Sequence, residues 1–147
     1  VKVLNLDGWL VPKSALPPKE RRGVVLVDPP FEAPGEFDRM CRALHDGLRR
    51  FATGIFVFWY PIKDPAPVTA FKRKAAEAVA APMLSVELFI RQPRDATVLN
   101  GCGLLIHTPP FGLDVWLEEV LPPLTVLLEQ GTASCWTVTP ISPASPS

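Results

Sequence analysis

A short apolar run that ends at two prolines sets the first limit on the fold. Residues 22–31 read R-G-V-V-L-V-D-P-P-F. Four consecutive apolar residues without polar alternation predict a strand that is buried on both faces, as in a parallel α/β sheet. Because proline has no N–H to donate to a β-ladder, the strand is expected to stop at Asp28. Ligands bind at the carboxyl ends of strands in open α/β sheets, so Asp28, Pro29, Pro30 and Phe31 form a candidate site.

The chemistry that this turn suits is the handling of an exocyclic amino group. Two consecutive prolines leave a stiff turn that presents acceptors and no backbone N–H. The Asp28 carboxylate and the Pro29 carbonyl can accept both hydrogens of one amine. Phe31 can stack on the ring that carries this amine, and such stacking is worth about 1–3 kcal/mol. This arrangement aims the nitrogen lone pair at an electrophile, as methyl transfer to adenine N6 requires. The alternative, that D-P-P merely ends a strand, stays open at this point.

Composition predicts one ordinary domain. The chain has 147 residues and 48% of them are hydrophobic, which is enough for one core. It has no signal peptide and no apolar run of about 18 residues, so we expect a cytoplasmic protein without membrane insertion. The first residue is Val1 and not Met, and residues 1–6 read as the middle of a buried strand. We therefore interpret the chain as a fragment of a longer protein.

Cysteines and charges narrow the class of site. Cys41, Cys102 and Cys135 lack C-x-x-C spacing, so we expect free thiols in a reducing compartment and no metal site. All 15 Lys and Arg lie at or before Arg94, together with 10 acids, which gives +5 for that part and −5 for the rest. This asymmetry is compatible with an anionic partner at one face or with ordinary solvated helices.

Hydrophobic periodicity predicts the order of the remaining elements. After the strand at residues 24–27 we expect an amphipathic helix and a second buried strand, ended by Pro61, which together form a βαβ unit. The strands expected at 83–90 and 103–108 are joined by a loop too short for a crossover helix, so they form an antiparallel hairpin. The full set of predicted elements is strands 1–6, 24–27, 54–60, 83–90, 103–108 and 132–138, helices 35–51 and 67–80, and a helical stretch 113–130 that is interrupted at Pro122-Pro123.

Several single residues have a structural and a functional interpretation. Asp7-Gly8 follows the first predicted strand, where it can touch a nucleotide-like ligand or form a plain turn. Trp59 and Tyr60 end at the same sheet edge as Asp28 and either line that crevice or belong to the core. His107, which also precedes two prolines, is expected to be structural.

Taken together, three motifs resemble the C-terminal half of the RlmJ family of bacterial methyltransferases. They are D-G at 7–8, R-R-G-V-V-L-V-D-P-P-F, and R-R-F-A-T-G-I-F-V-F-W-Y-P. The likeness continues through S-V-E-L-F-I, residues 101–110 and V-L-P-P-L, so it covers nearly the whole chain. It implies a Rossmann-like class I methyltransferase sheet, mostly parallel with an antiparallel hairpin near the C-terminus, from which the N-terminal half is missing. One domain is then expected over 1–138, followed by a disordered Ser/Pro-rich tail at 139–147.

The resemblance also implies an activity: S-adenosylmethionine-dependent N6-methylation of an adenine in 23S ribosomal RNA. We expect the parent protein to be a monomer, although the sequence alone leaves its oligomeric state open. It assigns Asp28 as the catalytic proton acceptor, with Pro29, Pro30 and Phe31 completing the target-adenine motif. It places Asp7 and Gly8 against the methyl donor. Family members usually carry Tyr where this chain has Phe31, which keeps the ring and removes a hydroxyl. Two alternatives remain: a D-P-P-type methyltransferase of DNA or protein, and a non-catalytic RNA- or partner-binding module.

Overall fold

The fold consists of five strands and four helices within residues 3–79 and 81–142, which the computed structural model describes. The strands are β1 (Val24–Val27), β2 (Ile55–Ile62), β3 (Met83–Phe89), β4 (Gly101–His107) and β5 (Cys135–Ile141). The helices are α1 (Val11–Ser14), α2 (Glu36–Arg50), α3 (Pro65–Ala78) and α4 (Leu113–Leu128), and a 3-10 turn at Gly8–Leu10 precedes α1. The predicted α/β class is confirmed.

The strands form one sheet in the order β1-β2-β4-β3-β5. β1 and β2 are parallel neighbours joined through α2, so the predicted βαβ unit is confirmed. The predicted β3–β4 hairpin is also confirmed. The expectation of a mostly parallel sheet is not confirmed. β4 lies between β2 and β3 and runs antiparallel to both, and β5 is antiparallel to β3.

Strand β1 lies at an edge of the sheet and is not buried on both faces, so that prediction is wrong. Val24 and Leu26 are 64% and 65% exposed, whereas Val25 and Val27 are half-buried. The inner face of β1 packs against the cluster that contains α2, but no helix in the described residues covers the other face of this strand. Burial depends on neighbouring elements, which a local apolar run does not report.

No strand forms at residues 3–6, and residues 1 and 2 of that predicted strand lie outside the described residues. Val3, Leu4 and Leu6 are exposed, because no strand pairs with this segment in the part of the chain that is described. The chain instead enters the 3-10 turn, where the Asp7 carboxylate accepts a hydrogen bond from the Trp9 N–H at 3.0 Å.

Prolines interrupt the elements less than predicted. β2 continues through Pro61 to Ile62. β1 ends opposite Phe58, so no β1 residue pairs with Pro61. The N–H that Pro61 lacks therefore costs no hydrogen bond between β1 and β2.

Helix α4 likewise continues through Pro122 and Pro123. The carbonyls that these prolines leave without an intrahelical donor belong to Glu118 and Glu119, which are exposed to water. The interruption predicted at this point is therefore wrong.

The ends of the remaining elements lie close to their predicted positions. α2 begins after Gly35, whose φ of 84° is in the left-handed region that favours glycine. α3 begins at an N-cap, Asp64, whose carboxylate accepts from the Ala66 N–H at 2.9 Å. β5 runs to Ile141, whereas the sequence predicts that the last strand and the domain end at residue 138. Residue 80, at the end of the predicted helix 67–80, lies outside the described residues, and so do residues 143–147 of the predicted tail.

Each face of the sheet has its own hydrophobic core. On one face, α2 and α3 cover the alternate residues of β2, Phe56, Phe58, Tyr60 and Ile62, all of them buried. On the other face, α4 packs through Leu117 and Leu121 on residues of β3 and β4. None of the helices in the described residues has the length and hydropathy that a transmembrane span requires.

Candidate functional site

The D-P-P-F turn follows β1 directly and leaves the sheet in a constrained conformation. Asp28 is exposed, Pro29 is buried, Pro30 is exposed and Phe31 is half-buried. The backbone of Phe31 has a φ of 54°, a left-handed conformation that is uncommon for a bulky residue. Such a conformation costs about 1–3 kcal/mol and persists only where the surroundings fix it, often at functional sites. The turn thus combines the end of β1 with a strained backbone at Phe31.

Aromatic neighbours fix the side chain of Phe31. Its ring centroid lies 5.2 Å from that of Phe37 and 6.2 Å from that of Trp59, in edge-to-face arrangements with interplanar angles of 64° and 72°. These geometries are the favourable ones for aromatic pairs. Tyr60 is fully buried in the core, whereas Trp59 is half-buried and contacts Phe31. Neither is among the residues that line the cavity next to Asp28.

An open cavity of about 930 Å³ is lined by β1 and the turn after it, by residues of the segment 7–13 and by α2. Asp7 and Gly8 line it together with Asp28, Pro29 and Pro30, so both predicted groups of site residues face one space. Phe31 is not among its lining residues, since its ring is directed towards Phe37 and Trp59. The structure therefore brings five of the six predicted site residues to one cavity and leaves the aromatic ring beside it.

Asp7 and Gly8 have a visible local role in this chain. The Asp7 carboxylate caps the 3-10 turn through the Trp9 N–H. Gly8 has open space around the position of a Cβ, so no steric clash within the described residues demands glycine there. Open space at Gly8 leaves room for a ligand to approach its backbone.

Two further lining residues, Glu36 and Arg39, were not predicted. Both belong to the first turn of α2, and Arg39 donates a 3.0 Å hydrogen bond to Glu36 Oε1. Glu36 is buried, and its Oε2 has no hydrogen-bond partner among the described residues. A buried acceptor without a partner is unusual in a folded protein. The sequence signal was an acidic residue at the start of the helix that follows D-P-P-F.

Carboxylates outnumber cations in the lining of the cavity, which contains Asp7, Asp28, Glu32, Glu36 and Asp46 together with Lys13, Arg39 and Arg42. Arg39 is paired with Glu36. Lys13 lies 3.2 Å from Asp46 Oδ2, and this hydrogen bond holds the pKa of Asp46 below its usual range. The carboxylates of Asp7, Asp28 and Glu32 form no salt bridge among the described residues, so they favour a ligand that carries positive charge or several N–H and O–H donors.

His107 lies far from Asp28, as expected of a structural residue. It pairs across the sheet with Phe56, near the start of β2, whereas Asp28 follows the end of β1. Its ring is buried against that of Phe56, and its Nδ1 lies 2.9 Å from Thr108 Oγ1. Burial lowers the pKa of His107, which favours the neutral ring.

The three cysteines, Cys41, Cys102 and Cys135, are free. In the described ranges no group of three His, Cys, Asp or Glu residues is arranged to hold a metal ion. Burial raises the pKa of both Cys41 and Cys102, so neither thiol is activated as a nucleophile.

The chain resembles known proteins over most of its length. Residues 1–140 match the family described as "Ribosomal RNA large subunit methyltransferase D, RlmJ". The chain is 38% identical over 139 residues to Ribosomal RNA large subunit methyltransferase J of Haemophilus influenzae and 31% identical over 121 residues to the protein of that name from Escherichia coli. These alignments cover 93% and 82% of this chain but 49% and 43% of the relatives.

A solved structure shows the same fold. The crystal structure of a protein from Legionella pneumophila superposes with a TM-score of 0.81 at 29% identity, over 91% of this chain and 49% of that one. The chain thus spans about half the length of the proteins that it matches. On the family match and these identities, the chain belongs to the RlmJ family of ribosomal RNA large subunit methyltransferases.

Proposed function

We propose that the protein carrying this chain methylates N6 of an adenine in 23S ribosomal RNA, with S-adenosylmethionine as the methyl donor. The observation that carries the proposal is that Asp28 and Pro29 line one cavity with Asp7 and Gly8. A shared cavity for these residues supports the proposal, since the amine and the methyl donor must meet in one space. Family membership supports a ribosomal RNA substrate, because the relatives are named for it.

Asp28 and the Pro29 carbonyl hold the target amine. Pro29 and Pro30 have no N–H, so this part of the turn offers acceptors and does not compete for the amine lone pair. Asp28 is exposed at the cavity wall, where it can accept an amine hydrogen and then remove the proton that transfer makes acidic. Most of the rate acceleration comes from placing the amine in line with the methyl group.

The residues present fit the proposed donor. A cavity of about 930 Å³ is large enough for a nucleoside-sized ligand. The carboxylates of Asp7, Asp28 and Glu32 complement a cation, and S-adenosylmethionine supplies an electrophilic methyl group on a positively charged sulfur. Asp7 and Gly8 would hold it on the side of the 3-10 turn, where Gly8 leaves open space.

The target base must leave its stack to reach Asp28, since a stacked adenine does not present its amine to a pocket. Phe31 lies beside the cavity, where Phe37 and Trp59 hold its ring, and we propose that the extruded base stacks on this ring. Replacement of the usual family Tyr by Phe31 keeps stacking and removes one hydroxyl. We further propose that the parent protein is cytoplasmic and monomeric and that its reaction needs no metal ion.

A substrate comparison tests the proposal. The protein carrying this chain is incubated with labelled S-adenosylmethionine and unmodified 23S rRNA, a DNA duplex or total protein, and nucleoside analysis identifies the product. We expect N6-methyladenosine from rRNA alone. Label in DNA or protein would instead support another D-P-P-type methyltransferase. Absence of both donor binding and label would support a non-catalytic binding module.

A further inference from the structure

A buried polar group lies beneath the aromatic cluster that holds Phe31. The Tyr60 hydroxyl is fully buried, donates to Glu87 Oε1 at 3.0 Å and lies 3.3 Å from Ser85 Oγ. Lys72 Nζ lies 2.6 Å from the same Glu87 oxygen. Because buried polar groups are costly unless paired, these four side chains form a set whose members hold one another in place.

Gly103 makes this arrangement possible. β4 separates β2 from β3, and Gly103 pairs with Tyr60 on one side and with Glu87 on the other. A Cβ at Gly103 would overlap the Tyr60 ring, including its hydroxyl oxygen. Tyr60 therefore crosses an entire strand to reach Glu87, and it can do so only because position 103 has no side chain.

The ring of Tyr60 connects this polar group to the D-P-P-F turn. It lies 6.3 Å from the Phe37 ring and 5.7 Å from the Phe71 ring, and these two rings lie 5.0 Å apart. Phe37 in turn contacts Phe31 at 5.2 Å. A continuous set of packed rings thus runs from the Tyr60 hydroxyl to Phe31.

We propose that Tyr60, fixed by Glu87 and by the space at Gly103, is a positioning residue for the D-P-P-F turn. The inference rests on the proposed methylation and assigns Tyr60 no contact with substrate or donor. Its motivation is the left-handed backbone of Phe31, which needs surroundings that fix it. Phe37 supplies part of that support, and Tyr60 fixes Phe37 from below.

Two substitutions perturb Tyr60 in different ways. Tyr60→Phe removes the hydroxyl and keeps the ring, whereas Gly103→Ala keeps the hydroxyl and displaces the ring. Gly47→Ala is the matched control, because a Cβ at Gly47 would likewise overlap a core ring of β2, that of Phe56. Phe56 contacts Phe51 and His107 at the opposite end of the strand, away from the turn.

Each variant is made in the protein carrying this chain, and kcat, KM for 23S rRNA, donor affinity and melting temperature are measured. We expect kcat to fall about tenfold in Tyr60→Phe and Gly103→Ala, with donor affinity unchanged, because small misplacements of a positioning group reduce turnover. Gly47→Ala is expected to lower the melting temperature and leave kcat unchanged. If Tyr60→Phe retains the kcat of the parent, the inference is overturned.

A spectroscopic readout separates this inference from the proposed function. Phenylalanines are replaced by 4-fluorophenylalanine, and the Phe31 fluorine resonance is assigned by its absence in Phe31→Leu. We expect this resonance to shift in Tyr60→Phe and Gly103→Ala but not in Gly47→Ala. If the parent methylates no RNA, the proposed function fails, and the resonance alone decides whether Tyr60 positions Phe31. An unmoved resonance in Tyr60→Phe contradicts the inference whatever the activity.

Discussion

Lys72 Nζ and Glu87 Oε1 lie 2.6 Å apart in a largely buried ion pair, with the two side chains 22% and 12% exposed. Removing one member of a buried pair leaves the other charge without a partner. We therefore predict that Lys72→Met lowers the free energy of unfolding by about 2 kcal/mol, less than the 3–5 kcal/mol of a fully buried pair because Lys72 keeps some solvent contact. Denaturant unfolding monitored by circular dichroism measures this.

The control for this prediction is Lys74→Met. Lys74 Nζ lies at the same 2.6 Å from Asp38, but these side chains are 58% and 55% exposed. Solvent screens exposed pairs, so Lys74→Met should cost clearly less stability than Lys72→Met. Equal losses in the two variants would mean that burial does not strengthen the Lys72–Glu87 pair.

His107 is predicted to make stability depend on pH. Burial lowers its pKa in the folded state below the ordinary value of 6.5, so the unfolded chain binds more protons in this range. Its contribution is therefore complete above pH 6.5 and is lost as the pH falls through that value towards the folded pKa. Melting temperatures between pH 8 and pH 5 should fall less in His107→Phe than in the parent chain.

The edge of β1 is predicted to make the isolated 147-residue chain self-associate. Val24 and Leu26 present apolar side chains beside a strand edge that pairs with no other strand in the described residues. Sedimentation should show dimers or larger species for the chain alone, and a labelled-methyl assay should show no turnover. Leu26→Lys should shift the distribution towards monomer, whereas Val115→Lys, at a 61% exposed position on α4, should not. If the unsubstituted 147-residue chain is a monomer and methylates rRNA unaided, this prediction is contradicted.

The contribution of Phe31 is predicted to depend on its ring and not on a hydroxyl. Phe31→Tyr and Phe31→Trp should therefore retain methylation. Phe31→Ala should lower kcat/KM for rRNA by the equivalent of about 1–3 kcal/mol of stacking. Because Phe31 has positive φ, Phe31→Gly relieves strain and should be more stable than Phe31→Ala by up to about 1 kcal/mol. Unchanged turnover in Phe31→Ala would show that the ring only packs against Phe37 and Trp59.

Local signals explain which parts of the fold were predictable. The end of β1 before Pro29, the helix from Glu36 and the β3–β4 hairpin follow from proline chemistry, periodicity and loop length. The exposure of Leu26 and the place of β4 inside the sheet depend on which elements become neighbours, which no local pattern encodes.

The candidate site likewise has features that could be predicted from the sequence and features that could not. The resemblance to the RlmJ family assigned Asp28 to the target amine and Asp7 to the methyl donor. Both residues line one cavity, and their roles stay a prediction. The direction of the Phe31 ring follows from its positive φ and its contacts with Phe37, neither of which can be read from D-P-P-F. Glu36 was missed because an acidic residue in a first helical turn is ordinary, and its unpaired oxygen becomes visible only in three dimensions.

The role of Asp28 is the central claim. Asp28→Ala in the protein carrying this chain is assayed in parallel for methylation of 23S rRNA and for S-adenosylmethionine affinity by calorimetric titration. Asp28 is proposed to hold the amine and accept its proton, so we predict loss of methylation with donor affinity largely unchanged. Parallel losses of activity and donor affinity, or retention of turnover, would contradict this account.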